Sequence, residues 1–268
     1  MLGTCYEIRE FSHLIRILSD MEGVIVAYSG GVDSTFLLKA STLSGLRTMA
    51  VTAVSPALPE QDFRDACGIA ASLGVPHRVI DREVAELAEF ARDPVDRCYY
   101  CKNDLFRRLK EIAASEGYAS IIDGSNLDDT NDRRPGRRAA LEHGVRSPLA
   151  EAGLRKEEIR RLSRELCLPN FDKPSSPCLL TRFPYDEPIT IDALKRVEGA
   201  ERFLRTLGFH ELRVRHHRDI ARIEVSEDEI SRVILPEIRN SVTRALRSLG
   251  YRFVCLDLGG FGSGRQNG

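Results

Sequence analysis

No sign of charge dominates this chain: 39 basic side chains stand against 40 acidic ones, and the net charge is −1. A protein dedicated to nucleic acid carries a clear basic excess, so the balance argues against that class. Two local basic runs, RRPGRR (133–138) and RVRHHRDIAR (213–222), are still dense enough to hold a small polyanion. There is no apolar run near the roughly 18 residues that a helical membrane span needs. The opening MLGTCYEIREFSHLIRILSD reads as an amphipathic helix interrupted by charges, with the pattern of neither a signal nor a transit peptide. A cytoplasmic protein with no membrane partner is expected. An even set of cysteines is also missing. Seven in a cytoplasmic chain do not suggest a disulfide framework. Cys5, Cys67, Cys167 and Cys255 have apolar neighbours in expected helices or strands and are expected to be small buried hydrophobes.

What the chain does have is alternation. GVIVAYS (23–29), RTMAVTAVS, HRVID and SIIDGSN are short β-branched runs bounded by turn residues. Between them DSTFLLKASTLSG, EQDFRDACGIAASLGV and NDLFRRLKEIAASEGY carry helical spacing. Strand–helix alternation predicts an α/β fold: a parallel sheet with flanking helices, ligands gathering at the carboxyl ends of the strands. From about Ser147 the pattern changes to a loop and an amphipathic helix, then to the proline-bearing NFDKPSSPCLLTRFPYDEPIT. Beyond Thr190 come a helix, two strands around a turn, a helix and a strand, which make a smaller C-terminal α+β domain. The expected division is residues 1–170, a linker over 171–190 that carries Cys178, and residues 191–268.

The segment SGGVDS (29–34) joins the first strand to its helix. Gly30 and Gly31 let the backbone turn its N–H groups toward an anion, and the helix N-terminus adds partial positive charge. Ser29 and Ser34 supply hydroxyl donors, and Asp33 suits a Mg²⁺ that bridges phosphates. The loop lacks the lysine and glycine spacing of a Walker A sequence, so γ-phosphoryl transfer is not indicated. It resembles the PP-loop of ATP pyrophosphatases (the adenine nucleotide alpha hydrolase-like fold), which implies ATP binding and adenylation with release of pyrophosphate. AVTAVS (50–55), Ala53 within it, and IIDGSN (121–126) stand where that family's sheet meets the nucleotide. Gly124 is expected to let the backbone approach it.

RCYYCKNDLF sets Cys98 and Cys101 three positions apart in front of an expected helix. On its own the motif admits zinc, a redox disulfide or a cluster. Zinc needs four protein ligands, with Cys167 as one candidate, and CYYC does not follow the first strand of a thioredoxin-like pattern. A third cysteine, Cys178 in KPSSPCLLTRFPY, lies in the irregular segment where packing requires no sulfur.

Taken together and in order, RCYYCKNDLF, GSNLDDTNDRRPG, SPLAEAGLRKEEIRRLSRELCLP, SSPCLLTRFPY and LRVRHHRDIARIEV resemble the ATP-dependent sacrificial sulfur transferases, the LarE family. The resemblance covers nearly the whole chain. It implies an enzyme that adenylates a carboxylate of pyridinium-3,5-biscarboxylic acid mononucleotide and converts it to a thiocarboxylate for the nickel-pincer cofactor. It implies ATP, Mg²⁺ and a sulfide or other sulfur donor as partners, and a homo-oligomer. Some members surrender the sulfur of a single cysteine at the place of Cys178. Others add a CxxC and hold a 4Fe–4S cluster on three cysteines, here Cys98, Cys101 and Cys178. Three thiolates leave one iron of a cubane without a protein ligand, and that iron can carry a replaceable sulfide.

Arg213 and Arg215 alternate along an expected strand and so share a face, where two guanidinium forks suit a phosphate or carboxylate. The resemblance assigns them to the substrate. Arg182, four residues after Cys178 and with Thr181 beside it, is expected to steady the adenylated carboxylate, and the resemblance adds Glu201 and Glu224 to metal or substrate contacts. Asp128, Asp129 and Arg134 follow the fourth strand, with turn, capping and ligand roles open for the aspartates. Rival readings are a cluster-dependent tRNA thiolase and a non-catalytic nucleotide-binding iron–sulfur module.

Overall fold

The computed structural model describes residues 9–82, 96–131, 135–174, 178–184 and 189–262. They fall into two compact units. The first comprises residues 9–55, 60–82, 96–131 and 135–174; the second comprises 56–59, 178–184 and 189–262.

The first unit opens with α1 (Arg9–Ser19), β1 (Val24–Ala27), α2 (Val32–Leu43), β2 (Thr48–Val54), α3 (Glu60–Ser72) and β3 (His77–Asp81). It continues with α4 (Arg97–Glu116), β4 (Ser120–Asp123), α5 (Pro135–Glu142), α6 (Pro148–Glu151) and α7 (Lys156–Glu165). The four strands form one parallel sheet in the order β3-β2-β1-β4. Strand β1 shows why both faces are covered. Successive side chains point to opposite sides, so Val24 and Val26 join Phe11, Leu14, Phe36 and Ile159 on one face. Ile25 joins Val51, Phe106, Leu109 and Ala139 on the other. Chain order runs from β1 outward to β3 and then returns to β4 on the far side of β1. The switch point, where open α/β sheets bind ligands, therefore lies at the carboxyl ends of β1 and β4.

The second unit carries a 3₁₀ turn (Leu179–Arg182), α8 (Ile191–Thr206), β5 (Leu212–His217), β6 (Ile220–Val225), α9 (Ile230–Val233), α10 (Pro236–Ser248) and β7 (Phe253–Leu256). Its sheet runs β5-β6-β7, antiparallel at the first pair and parallel at the second. Leu204 and Leu246 of the long helices bury against Val214 and Ile223. No helix among the described residues is long and apolar enough to cross a membrane.

Three expectations change. Helix α4 starts at Arg97 rather than after the CxxC, because the N–H groups of Tyr99 and Tyr100 already bond the Asp96 carbonyl (2.8 and 3.2 Å). Cys98 and Cys101 thus lie inside the first turns of a helix. The basic run at 133–138 becomes, from Pro135 onward, the start of α5. There Arg138 lies over the Tyr99 ring (3.8 Å) and pairs with Asp96 (3.3 Å), while Arg134 lies outside the described residues. Of the cysteines expected to be buried, Cys67 is half-buried, and Cys167 and Cys255 are exposed; Cys5 lies outside the described residues. Cys167 adopts φ 55° just past the end of α7, a cap position that turns away from the core.

Candidate active site

At the end of β1 the loop Ser29–Ser34 enters α2. Gly30 has φ 72°, and a Cβ there would come 2.6 Å from the Cβ of Ala66 in α3, so only glycine fits. The hydroxyls of Ser29 and Ser34 meet at 3.1 Å; Ser34 Oγ donates to the Gly31 carbonyl (3.2 Å), and Gly31 N–H donates to Ser29 Oγ (3.3 Å). These are long, weak bonds, readily exchanged for bonds to an anion. Gly124, at the end of β4, also has a steric role. A Cβ there would lie 2.9 Å from the Ser34 backbone nitrogen, so its close approach is to the loop itself, because β4 is the neighbour of β1. Ala53 sits half-buried near the carboxyl end of β2.

Asp33 occupies the first turn of α2. Its Oδ2 accepts from Lys156 Nζ at 2.5 Å, while its Oδ1 is buried with no hydrogen-bond partner. Burial raises the Asp33 pKa, opposed by the Lys156 ammonium. A buried carboxylate oxygen without a donor fits a Mg²⁺, the ion whose ligand it was expected to be. Lys156 was not anticipated. It stands at the start of α7, more than a hundred residues along the chain, within SPLAEAGLRKEEIRRLSRELCLP, where nothing local marks it as the partner of Asp33. Asp128 accepts from the Lys156 N–H (2.9 Å) and from Arg155 (2.7 Å), and Asp129 accepts from the Asn126 N–H (3.1 Å). Both aspartates therefore act as turn and capping residues.

A cavity of about 310 Å³ opens beside the end of β4, lined by Cys98, Lys102, Asp123, Asn126 and Arg137 among others. Cys98 is exposed, and Cys101, one helical turn on, is half-buried. The Cys101 sulfur accepts from Arg82 Nη1 at 2.9 Å, and the same guanidinium reaches the Cys101 carbonyl (2.5 Å) and Asp104 (3.0 Å). Burial lowers the Arg82 pKa, but the Cys101 sulfur and Asp104 outweigh it and the net shift is upward. Arg82 is a second residue that the sequence does not signal.

In the second unit, Cys178 is exposed and precedes the 3₁₀ turn; its Sγ lies 3.6 Å from the Ala57 carbonyl. Arg182 is buried, not free in a cleft: Nε donates to Glu201 Oε1 (2.7 Å) and Nη2 to Oε2 (3.3 Å), and Nη1 reaches Thr181 Oγ1 (2.7 Å). Glu201 also accepts from the Val214 N–H at 3.1 Å. Arg215 donates to Glu224 Oε1 (2.9 Å) and to the Thr181 carbonyl (2.7 Å), leaving Nη2 buried without a partner. Glu201 and Glu224 are thus fully buried, unlike ordinary surface carboxylates. Arg213 donates to the Gly262 carbonyl (3.0 Å) and lies over Phe261, and no carboxylate pairs with it among the described residues. Burial lowers its pKa, and Arg182 and Arg215 add to that. Arg182, Arg213 and Arg215 gather here with two buried carboxylates that Arg205 and Arg222 also contact, each at 3.3 Å, so positive charge is locally in excess.

The first unit thus gathers backbone amides and hydroxyls at one loop, and the second gathers guanidiniums around two buried carboxylates. The chain is 41% identical over 256 residues to the pyridinium-3,5-bisthiocarboxylic acid mononucleotide synthase of Lactiplantibacillus plantarum, spanning 95% of this chain and 92% of that one. This chain belongs to that synthase family, the LarE family. An uncharacterized Synechocystis protein is 39% identical across 96% of this chain and 97% of its own. A tRNA-specific 2-thiouridylase of Methylobacterium is more distant, 29% identical over 70% of this chain and 60% of its own. No family model matches. Among solved structures, NMN synthetase from Francisella tularensis shares the fold, with a TM-score of 0.52 at 23% identity over 62% of this chain and 74% of its own. Membership makes the chain an ATP-using PP-loop enzyme.

Proposed function

We propose that this enzyme adenylates a carboxylate of pyridinium-3,5-biscarboxylic acid mononucleotide and replaces the AMP with sulfur, giving a thiocarboxylate. The observation that carries this reading is the turn that joins Cys178 to the guanidinium seat. Arg215 donates to the Thr181 carbonyl and Arg182 to the Thr181 hydroxyl, so a turn beginning one residue after the exposed thiol is built on the groups that would hold an anionic substrate.

In the first half-reaction a carboxylate oxygen of the acceptor attacks the α-phosphorus of ATP, and pyrophosphate leaves. Ser29, Gly30, Gly31 and Ser34 bind the β- and γ-phosphates through N–H and hydroxyl donors. Asp33, whose Oδ1 has no hydrogen-bond partner, would hold a Mg²⁺ that neutralises phosphate charge, and Lys156 neutralises its other oxygen. Ala53 borders the nucleotide. Arg213 and Arg215 hold the acceptor's phosphate, and Arg182, fixed by Glu201, polarises the turn. In the second half-reaction a sulfur nucleophile attacks the acyl carbon and AMP departs.

Two sources of that sulfur follow from the cysteines. Within each unit, among the described residues, no three His, Cys, Asp or Glu side chains converge on one metal position. We propose a 4Fe–4S cluster on residue type alone, three cysteines being the donors such a cluster takes. Cys98 and Cys101 stand one turn apart on α4 outside any disulfide, with a guanidinium on the Cys101 sulfur, and Cys178 in the second unit is likewise not in a disulfide. When bound by these three, a cluster supplies a replaceable sulfide at its open iron. Without it, the Cys178 thiolate forms a thioester, and β-elimination releases the thiocarboxylate and leaves dehydroalanine. Anaerobic reconstitution with iron and sulfide separates the two. A broad charge-transfer band near ~400 nm that disappears in Cys98→Ala supports the cluster. Its absence, together with dehydroalanine at residue 178 after one turnover, supports the sacrificial route. In the family resemblance the enzyme is also a homo-oligomer, which sedimentation measures directly.

A further inference from the structure

The phosphate loop is gripped from behind by the first residue of the proline-bearing segment, to which no role has been given so far. Asn170 is 6% exposed and directs both amide hydrogens into the loop: Nδ2 donates to the Gly30 carbonyl at 2.9 Å and to Thr35 Oγ1 at 3.0 Å. Its Oδ1 is buried without a partner, so the side chain acts through its two donors. The reverse amide orientation would set two acceptors face to face. The grip is itself braced. Three residues on, Lys173 pairs with Asp62 (2.8 Å) and Asp65 (2.9 Å) of α3. Arg160 of α7 donates to the carbonyls of Phe171 (3.0 Å) and Lys173 (2.7 Å).

The peptide between Gly30 and Gly31 is what this grip controls. In a trans peptide the C=O and N–H point in opposite directions. Holding the Gly30 oxygen on Asn170 therefore aims the Gly31 N–H away from Asn170, to the side where it meets Ser29 Oγ. Neither flanking residue has a Cβ, so this peptide rotates as a unit more easily than any other in the loop. Rotated, it would present a carbonyl oxygen where an anion must sit.

We infer that Asn170 is a positioning residue of the phosphate loop: it locks the Gly30–Gly31 peptide with its N–H toward the β- and γ-phosphates and so sets affinity for the pyrophosphate part of ATP. This rests on the loop being the ATP site.

The test is calorimetric binding of ATP, inorganic pyrophosphate and AMP to the full chain, with Mg²⁺, for wild type, Asn170→Ala and Asn170→Asp. AMP lacks the phosphates that the loop holds. ATP and pyrophosphate should bind about tenfold more weakly to Asn170→Ala, the scale of one lost donor to a charged ligand. AMP affinity should stay within about twofold, while the melting temperature falls by a few degrees for the buried acceptors left without a donor. Asn170→Asp keeps the volume but sets a carboxylate oxygen against the Gly30 carbonyl. It should lose more, and it carries the test if Asn170→Ala does not fold. Pyrophosphate affinity unchanged in both variants, or AMP affinity falling in parallel with it, overturns the inference. A wild-type protein that binds AMP but neither ATP nor pyrophosphate overturns the ATP-loop reading, and the inference with it.

Discussion

The two sites proposed to hold anions are built on opposite principles. The loop at 29–34 uses neutral groups: backbone N–H, two hydroxyls and a helix N-terminus, with Asp33 and Lys156 at one side. The seat in the second unit uses full charges, with Arg182 and Arg215 taken out of water and held by Glu201 and Glu224. A backbone site depends on conformation, and conformation is sensitive to glycine and to peptide orientation. A guanidinium site depends on pairing, because a buried charge that loses its partner destabilises the fold before it affects binding. The first should therefore fail in affinity and the second in stability.

The largest expected effect is Glu201→Ala. It strands the Arg182 guanidinium in a buried site and should cost about 3–5 kcal/mol in the second unit. Hydrogen exchange on β5 and β6 should rise accordingly while exchange on β1 and β2 stays unchanged. Equal loss in both units would break the contrast. Next comes Gly30→Ala, which requires φ 72° of an L-residue and meets Ala66. ATP affinity should fall about a hundredfold, roughly 2–3 kcal/mol, and the strain and the clash should lower the melting temperature of the first unit alone.

A smaller effect concerns acid. His216 is buried against Tyr251 and Phe183, and burial, with Arg196 and His217, pushes its pKa down to about 4. The unfolded chain binds that proton near pH 6.5 and the folded one does not. Stability from this group is therefore full above about pH 6.5 and declines toward pH 4, by about 1–2 kcal/mol at pH 5. Urea unfolding of His216→Asn against wild type at pH 7 and pH 5 should show the difference shrinking at the lower pH. A constant difference contradicts the assignment. The smallest effect is Arg213→Lys, which keeps the charge and loses the fork. It should raise the KM for the acceptor severalfold, about 1 kcal/mol, and leave the KM for ATP unchanged.

The same contrast explains what could be read from sequence. The sheet, its helices and the phosphate loop are local patterns: β-branched runs, helical spacing, and two glycines between a strand and a helix. Arg213 and Arg215 follow strand alternation, Cys178 stands out in an irregular segment with Arg182 four residues on, and the resemblance supplies the role that joins Cys178 to the CxxC. The burial of Glu201 and Glu224 was not legible, because a glutamate in RVEGAERF or ARIEV looks like any surface carboxylate until α8 and β6 close over it. Lys156, Arg82 and Asn170 act across 123, 19 and 140 positions of chain, distances at which no motif spacing exists. Cys167 and Cys255 misled because apolar neighbours in sequence say nothing of which way a cap residue or an edge strand faces.

The central claim is that adenylation of a pyridinium dicarboxylate mononucleotide precedes and is separable from sulfur transfer at Cys178. ATP–pyrophosphate exchange, measured with and without that nucleotide in wild type and Cys178→Ala, tests it most directly. The account predicts exchange in both proteins only when the nucleotide is present, and thiocarboxylate from the wild type alone. Exchange that ignores the nucleotide, or thiocarboxylate formed by Cys178→Ala, would contradict it.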